Sequence, residues 1–304
     1  MKWIKRGRIF GPSGINGWDH NSALQPTPYL RSDGTIRVYC GFRDASGVGR
    51  VGFVDVEAEN PGNVVRVSRQ PVLDIGRPGA FDENGVVPCA IVEKGGQLHL
   101  YYAGYQLGQK VRFYVFGGLA VSSDEGETFT RYSEVPVCDR TDDEMLFRVV
   151  HSVLRDRHQW RMWYGGGSQF DLEDGKQLPR YNIRSAISSD GVRPDRQYST
   201  CVDTVGDEYR VGRPYVIKHG DIYRMFYGAG TSMLGYRLAY AESVDGVSWI
   251  RKDDEIGIDV SESGWDSEMQ AYPAVISYRD RTYLFYNGNK YGAEGFGYAE
   301  LKHW

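Results

Sequence analysis

The segment Tyr223–Ala229 reads YRMFYGA, and four other stretches share its grammar: Ile36–Gly41 (IRVYCG), Leu98–Gly104 (LHLYYAG), Trp160–Gly166 (WRMWYGG) and Thr282–Gly288 (TYLFYNG). Each alternates apolar and polar residues, then sets an aromatic, then usually Tyr, then small residues. That alternation is the pattern of a strand with one buried face. The fifth positions, Cys40, Tyr102, Tyr164, Tyr227 and Tyr286, are 62, 62, 63 and 59 residues apart. A near-constant period over five copies marks a repeat architecture.

Two further markers keep step. Pro28, Pro88, His151, Pro214 and Pro273 stand 12 to 14 residues upstream of those fifth positions, opening runs such as Pro214-Tyr215-Val216-Ile217. Short β-branched runs read as buried strands, with Pro tolerated at the first residue. Downstream, Ala120–Gly126 (AVSSDEG), Ala186–Gly191 (AISSDG) and Ala241–Gly246 (AESVDG) each close a strand in an Asp/Gly turn. Asp supplies side-chain hydrogen bonds there and Gly the positive φ of a tight hairpin. Each unit therefore holds four strands, and five such units predict an all-β fold, a five-bladed β-propeller.

The expected blades are roughly 11–75, 76–138, 139–203, 204–262 and 263–304 plus 2–10, in one domain spanning 1–304. The fifth copy stops at Ala299-Glu300-Leu301 without a fourth strand, while Trp3-Ile4-Lys5-Arg6 matches Trp249-Ile250-Arg251-Lys252. Trp3 precedes Cys40 by 37 residues, as Trp249 precedes Tyr286. The N-terminal strand is thus predicted to complete the last blade and remove an open sheet edge.

Composition excludes several classes. With 36 Lys+Arg against 40 Asp+Glu, the net charge of −4 makes no electrostatic case for a nucleic-acid partner. No window approaches the run of about 18 apolar residues that a membrane span needs. The start, MKWIKRGRIFGPSG, lacks the apolar core of a secretory signal. Cys40, Cys89, Cys138 and Cys201, spaced 49, 49 and 63 apart, suit reduced thiols rather than a zinc ribbon, redox motif or disulfide scaffold. A cytoplasmic protein is expected; its oligomeric state is left open.

In a propeller the loops approaching the innermost strands line a central funnel. All five carry acids: Trp18-Asp19-His20, Phe81-Asp82-Glu83, Asp142-Asp143-Glu144, Asp207-Glu208 and Trp265-Asp266-Ser267-Glu268. Two carboxylates there, one protonated and one ionised, would suit cleavage of a glycosidic bond. Equally, aromatic–Asp recurring in blades one, two and five suits a turn that every blade needs. Arg148, Arg213 and His151 lie on or beside inner strands. The arginines could clamp a sugar carboxylate or a phosphate and the histidine could ligate a channel ion; structural ion pairs and a hydrogen-bonded core histidine are the competing readings. The polar stretch Phe170–Tyr181 is expected to be a loop rimming the funnel.

The units, the A-x-S-x-D-G turns, the aromatic-Tyr strands and the Trp-Asp approaches together resemble the five-bladed propeller glycosidases: family 43 arabinanase/xylosidase-like enzymes, fructosidases and β-mannoside phosphorylases of family 130. By blade position the resemblance implies Asp19 as base or nucleophile, Asp82 as a tuning or stabilising residue and Glu144 as general acid. Asp142 and Asp143 beside Glu144 would help it keep a proton. Trp18, His20, Glu83, Arg148, His151, Arg213 and Glu268 would contact substrate, a small carbohydrate or oligosaccharide. No metal-ligand set stands out and no cofactor is required, though a calcium ion in the channel fits such a fold. The closest string to the arabinanase-type E-G-P is Gly212-Arg213-Pro214, and the phosphorylase-type E-D-P-R would fall at Val86-Val87-Pro88, without its acid. Hydrolysis, phosphorolysis and binding without catalysis all stay open.

Overall fold

The structure, a computed structural model, describes residues 1–156, 159–173 and 175–304. Strands dominate it. After β1 (Lys2–Phe10) come β2 (Asn21–Leu30), β3 (Thr35–Arg43), β4 (Gly49–Glu57) and β5 (Val64–Val67), paired in that order as the first antiparallel unit. The second unit is β6 (Val86–Lys94), β7 (Gln97–Leu107), β8 (Phe113–Ser122) and β9 (Thr130–Arg131). The third is β10 (Phe147–Asp156), β11 (Gln159–Glu173), β12 (Lys176–Ser188) and β13 (Ser199–Val202). The fourth is β14 (Glu208–His219), β15 (Ile222–Thr231), β16 (Gly235–Ser243) and β17 (Ile250–Arg251). The fifth is β18 (Ala271–Tyr278), β19 (Arg281–Asn287) and β20 (Phe296–His303), whose free edge takes β1 with Trp3 opposite Leu301.

The first strands of the units follow one another in space: β2 packs against β6, β6 against β10, β10 against β14, β14 against β18, and β18 against β2. Short parallel contacts, Phe147 opposite Val115 and Tyr181 opposite Arg210, join units two, three and four into one sheet of twelve strands. The repeated motif forms the second strand of each unit. Its fifth-position residues, Cys40, Tyr102, Tyr164, Tyr227 and Tyr286, are wholly buried.

The fourth-position aromatics tie one unit to the next. Tyr39 donates to the Gly126 carbonyl, Tyr101 to that of Gly191 and Trp163 Nε1 to that of Gly246, each glycine closing the Asp/Gly turn of the following unit. Where the following unit has no such turn, the position is Phe226 or Phe285, without a donor. These turns are built as expected: Ser122 Oγ accepts from the Gly126 N–H and Asp124 Oδ1 from that of Thr128.

The expectation of a loop at Phe170–Tyr181 needs correction. β11 and β12 stay paired through Gln169–Arg180 and Glu173–Lys176, so this segment is the arm of a long hairpin. Its polar sequence reflects exposure of most of the arm on both faces rather than absence of pairing; Asp174 lies outside the described residues. All four cysteines are free and buried. No described helix is long and apolar enough to cross a membrane.

Candidate functional site

The chemistry of the centre starts with a backbone irregularity. In every unit the pairing of first and second strands skips at least once, leaving extra residues unpaired, and Gln25, Cys89, His151, Arg213 and Tyr272 fall in these bulges. A bulge re-aims its side chain out of the strand's alternation. Gln25, Arg213 and Tyr272 also have positive φ, at 52°, 56° and 58°, each just before a proline.

Four of these five bulge residues line a cavity of about 160 Å³ to which all five units contribute. Its walls are largely aromatic: Tyr105 and Phe113 from unit two, Phe147 and Tyr181 from unit three, Tyr236 from unit four. Its polar groups are Gln25, His151, Arg210 and Arg213, besides tyrosine hydroxyls. Among the described residues its lining contains no Asp or Glu. A larger groove, about 820 Å³, lies at the opposite ends of the strands; it draws on units three and four alone and on none of the bulge residues.

Arg213 spans the centre. It reaches from unit four to the carbonyls of Pro26 in unit one, Cys89 in unit two and His151 in unit three, and to Thr27 Oγ1 at 2.9 Å. Burial lowers its pKa from the ordinary arginine value. His151 is pushed well below the usual histidine value, first by burial and then by the Arg213 charge, and so is neutral. A channel calcium ion does not suit this centre. The bulge residues include no carboxylate, calcium asks for oxygen ligands with negative charge among them, and the guanidinium already engages the carbonyls. Among the described residues no cluster of three His, Cys, Asp or Glu could hold a metal ion.

The approach-loop acids have other partners. Asp82, fully buried, accepts from the Tyr102 hydroxyl at 3.0 Å and from Arg131 Nε at 2.8 Å. Glu144, also fully buried, lies between Arg148 Nε at 2.6 Å and Arg184 Nη1 at 3.1 Å, with the Tyr164 ring system beside it. Asp266 meets the Tyr286 hydroxyl at 3.0 Å and Lys5 Nζ at 2.8 Å. In unit four the same place is taken by Asp253, which accepts from the Tyr227 hydroxyl at 2.7 Å and pairs with Arg251 at 2.6 Å. One device thus recurs four times: a fifth-position tyrosine, an acid and a cation from a neighbouring segment.

Unit one has Cys40 in place of the tyrosine, and Asp19 there accepts from Ser13 Oγ and from the Asn16 backbone and side-chain nitrogens, closing its own loop. Trp18 packs edge-on against Phe42 at 5.2 Å, as Phe81 and Trp265 stack on Tyr102 and Tyr286. His20 and Glu268 are exposed, and Glu83 caps its loop by accepting from the Gly79 N–H at 2.7 Å. Asp142 and Asp143 face solvent, so the groups touching Glu144 are guanidiniums rather than like charges. Of the residues singled out from sequence, the structure brings His151 and Arg213 to the cavity. Asp19, Asp82, Glu144, Trp18, His20, Glu83, Arg148 and Glu268 are not in its lining.

Sequence reasoning missed Gln25, Arg210 and the aromatic wall. Tyr272 carried a signal, since it precedes the marker Pro273 as Arg213 precedes Pro214; Gln25 precedes Pro26, two residues before the marker Pro28, and only the strand pairing aligns it with Arg213. Arg210 sits three residues upstream of Arg213 and had no marker of its own.

No family model matches the chain. Among solved structures it is similar to a glycosyl hydrolase from Bacteroides ovatus, with a TM-score of 0.74 and 13% identity over 98% of this chain and 93% of that one. It is similar to a thermostable family-43 glycoside hydrolase, with a TM-score of 0.69 and 15% identity over 92% and 88% of the two chains. A GH43_1 enzyme from Xanthomonas citri complexed with xylose gives a TM-score of 0.65 and 14% identity over 93% and 87%. At such identities the likeness is one of fold. In sequence, the chain is 35% identical over 303 residues, 99% of its length and 100% of the relative's, to Uncharacterized protein Rv1502 of Mycobacterium tuberculosis. It therefore belongs to the family of that mycobacterial protein, on the fold of the glycoside hydrolases.

Proposed function

We propose that this chain is a single five-bladed propeller that binds a carbohydrate in the cavity where its five units meet, and that it binds without cleaving. The observation carrying this reading is the cavity lining: aromatic faces with a few convergent polar groups, and no carboxylate among the described residues. Aromatic faces with a few placed hydrogen-bonding groups suit a small organic ligand. Glycoside hydrolysis needs two carboxyl groups flanking the scissile bond, about 5 to 9.5 Å apart. The expected pair, Asp19 and Glu144, instead serves a loop and an ion-pair cluster. The cyclic packing of β2, β6, β10, β14 and β18 supports five blades closing a ring. The Xanthomonas citri enzyme in complex with xylose supports a ligand of sugar size.

Isothermal titration with xylose and xylotriose, run beside an assay for released reducing sugar, tests this. Binding without release is expected. Tyr236→Ala should remove binding, while Glu144→Gln should lower the melting temperature and leave binding in place. Sugar release that Glu144→Gln abolishes in a still-folded protein would overturn the proposal in favour of a hydrolase.

A further inference from the structure

The cavity carries charge that no carboxylate among the described residues answers. Arg210 is 7% exposed and Arg213 4% exposed, and neither lies within 4 Å of a carboxylate among the described residues. Buried arginines elsewhere in this protein are paired: Arg37 with Asp55 at 2.7 Å, Arg148 with Glu144 at 2.6 Å. Arg213 spreads its charge over backbone carbonyls, which explains its place. Among the described residues the Arg210 side chain donates to no carbonyl and has aromatic neighbours instead, lying 4.6 Å from the Tyr209 and 5.4 Å from the Tyr291 ring centroids. Its Nη2 donates to the Tyr291 hydroxyl at 2.8 Å, its guanidinium lies 4.1 Å from the Tyr236 ring centroid, and its Nε is buried without a partner. His151 Nδ1 and Arg213 Nε, facing the same cavity, are likewise buried and unpartnered. Gly230 makes room for the guanidinium, since a Cβ there would stand 3.2 Å from Arg210 Nε.

Leaving a buried charge unpaired is costly, and such groups are ordinarily paired or ligated. We infer that the cavity takes an anionic sugar, whose negative group docks on Arg210 while the ring lies against the tyrosines. A planar guanidinium with free N–H groups matches a carboxylate or phosphate bidentately. The volume of about 160 Å³ is close to that of a cavity that holds one six-membered ring. The inference rests on the carbohydrate reading above and narrows its ligand to a uronic acid or a sugar phosphate.

The test pairs sugars that differ in charge: D-glucose with D-glucuronate and D-glucose 6-phosphate, and D-galactose with D-galacturonate, each titrated into the unaltered protein and into Arg210→Gln. Bare acetate and inorganic phosphate serve as sugar-free probes. We expect a charged sugar to bind about tenfold or more tighter than its neutral counterpart, as a charge-assisted hydrogen bond warrants. Arg210→Gln should erase that difference. Preference for a uronate or for the phosphate identifies the anion, and either supports the inference. Equal binding of neutral and charged sugars overturns it and leaves the carbohydrate reading standing. Bare anions binding as tightly as charged sugars, with neutral sugars not binding, would keep the anion site and overturn the carbohydrate reading. A ligand-free measurement guards against a poor choice of sugar. Relief of an uncompensated buried charge should raise the melting temperature of Arg210→Gln above that of the unaltered protein; a lowered one would mean that Arg210 is a structural prop and would overturn the inference.

Discussion

His151 shows how much one bulge residue decides. Its position between β10 residues Val150 and Ser152, outside the pairing, turns the imidazole toward the cavity beside Arg213. Burial and that charge keep it neutral in the folded chain. In the unfolded chain it binds a proton near pH 6.5. The folded-state pKa is the lower one, so its contribution is complete above about pH 6.5 and is lost as pH falls below that value toward the folded pKa. Urea unfolding free energies should therefore decline from about pH 7 to about pH 5.5, and His151→Gln should flatten part of the slope. His99, lowered by burial and by Lys94, acts in the same direction and accounts for a remaining slope. An unchanged profile in His151→Gln would show that His151 is accessible to protons in the folded chain.

Among elements, the link from one unit's second strand to the next unit's Asp/Gly turn carries the order of the units. Trp163 Nε1 donates to the Gly246 carbonyl at 3.1 Å, inside a cluster that also holds Tyr223 and, partly buried, Trp249. Trp163→Phe keeps an aromatic ring but strands a buried carbonyl, a loss of about 1–3 kcal/mol. Equilibrium urea denaturation should show this as a lower midpoint with an unchanged slope. No change at all would mean that the turn is held by its own Ser243 and Asp245 contacts alone. The β11–β12 arm was the element least legible from sequence. Its residues are polar because most of the arm is solvated, and polarity without a buried face reads as loop. Yet its base supplies Pro179 and Tyr181 to the cavity, and Phe170 packs on Phe113 and Phe147 at 5.4 and 5.2 Å.

Over the whole molecule, the chain ends bear on how the fifth unit is completed. β1 completes the unit of β18, β19 and β20, Lys5 supplies the cation for Asp266, and Trp3 packs edge-on against Phe226 of unit four at 6.0 Å. β1 is thus a clasp that holds two units from the far end of the sequence. Trp3 is 6% exposed, so Trp3→Ala should cost about 3–5 kcal/mol. Deleting residues 1–10 should broaden the calorimetric transition as well as lower it, because the fifth unit loses an edge strand and the cation paired with a buried carboxylate. A sharp transition at the original midpoint would show that the fold does not depend on this clasp.

What the sequence determined by itself was the repeat. Five aromatic strands, their upstream apolar runs and the Asp/Gly turns are short-range patterns, and short-range patterns specify strands, hairpins and their period. The match of Trp3 to Trp249 extended this to the pairing of the two ends. The chemistry of the acids depended on something else. Asp82 meets an arginine 49 residues away, Asp266 meets Lys5 at the opposite end of the chain, and Glu144 meets Arg184 from β12. An acid in an approach loop reads alike whether it turns toward the cavity or back onto a fifth-position tyrosine. The choice is made by which cation the packed units bring against it, and by bulges that send Gln25, His151, Arg213 and Tyr272 inward in its place. Only the tertiary structure decided that, because pairing across units is set by packing and not by residue spacing.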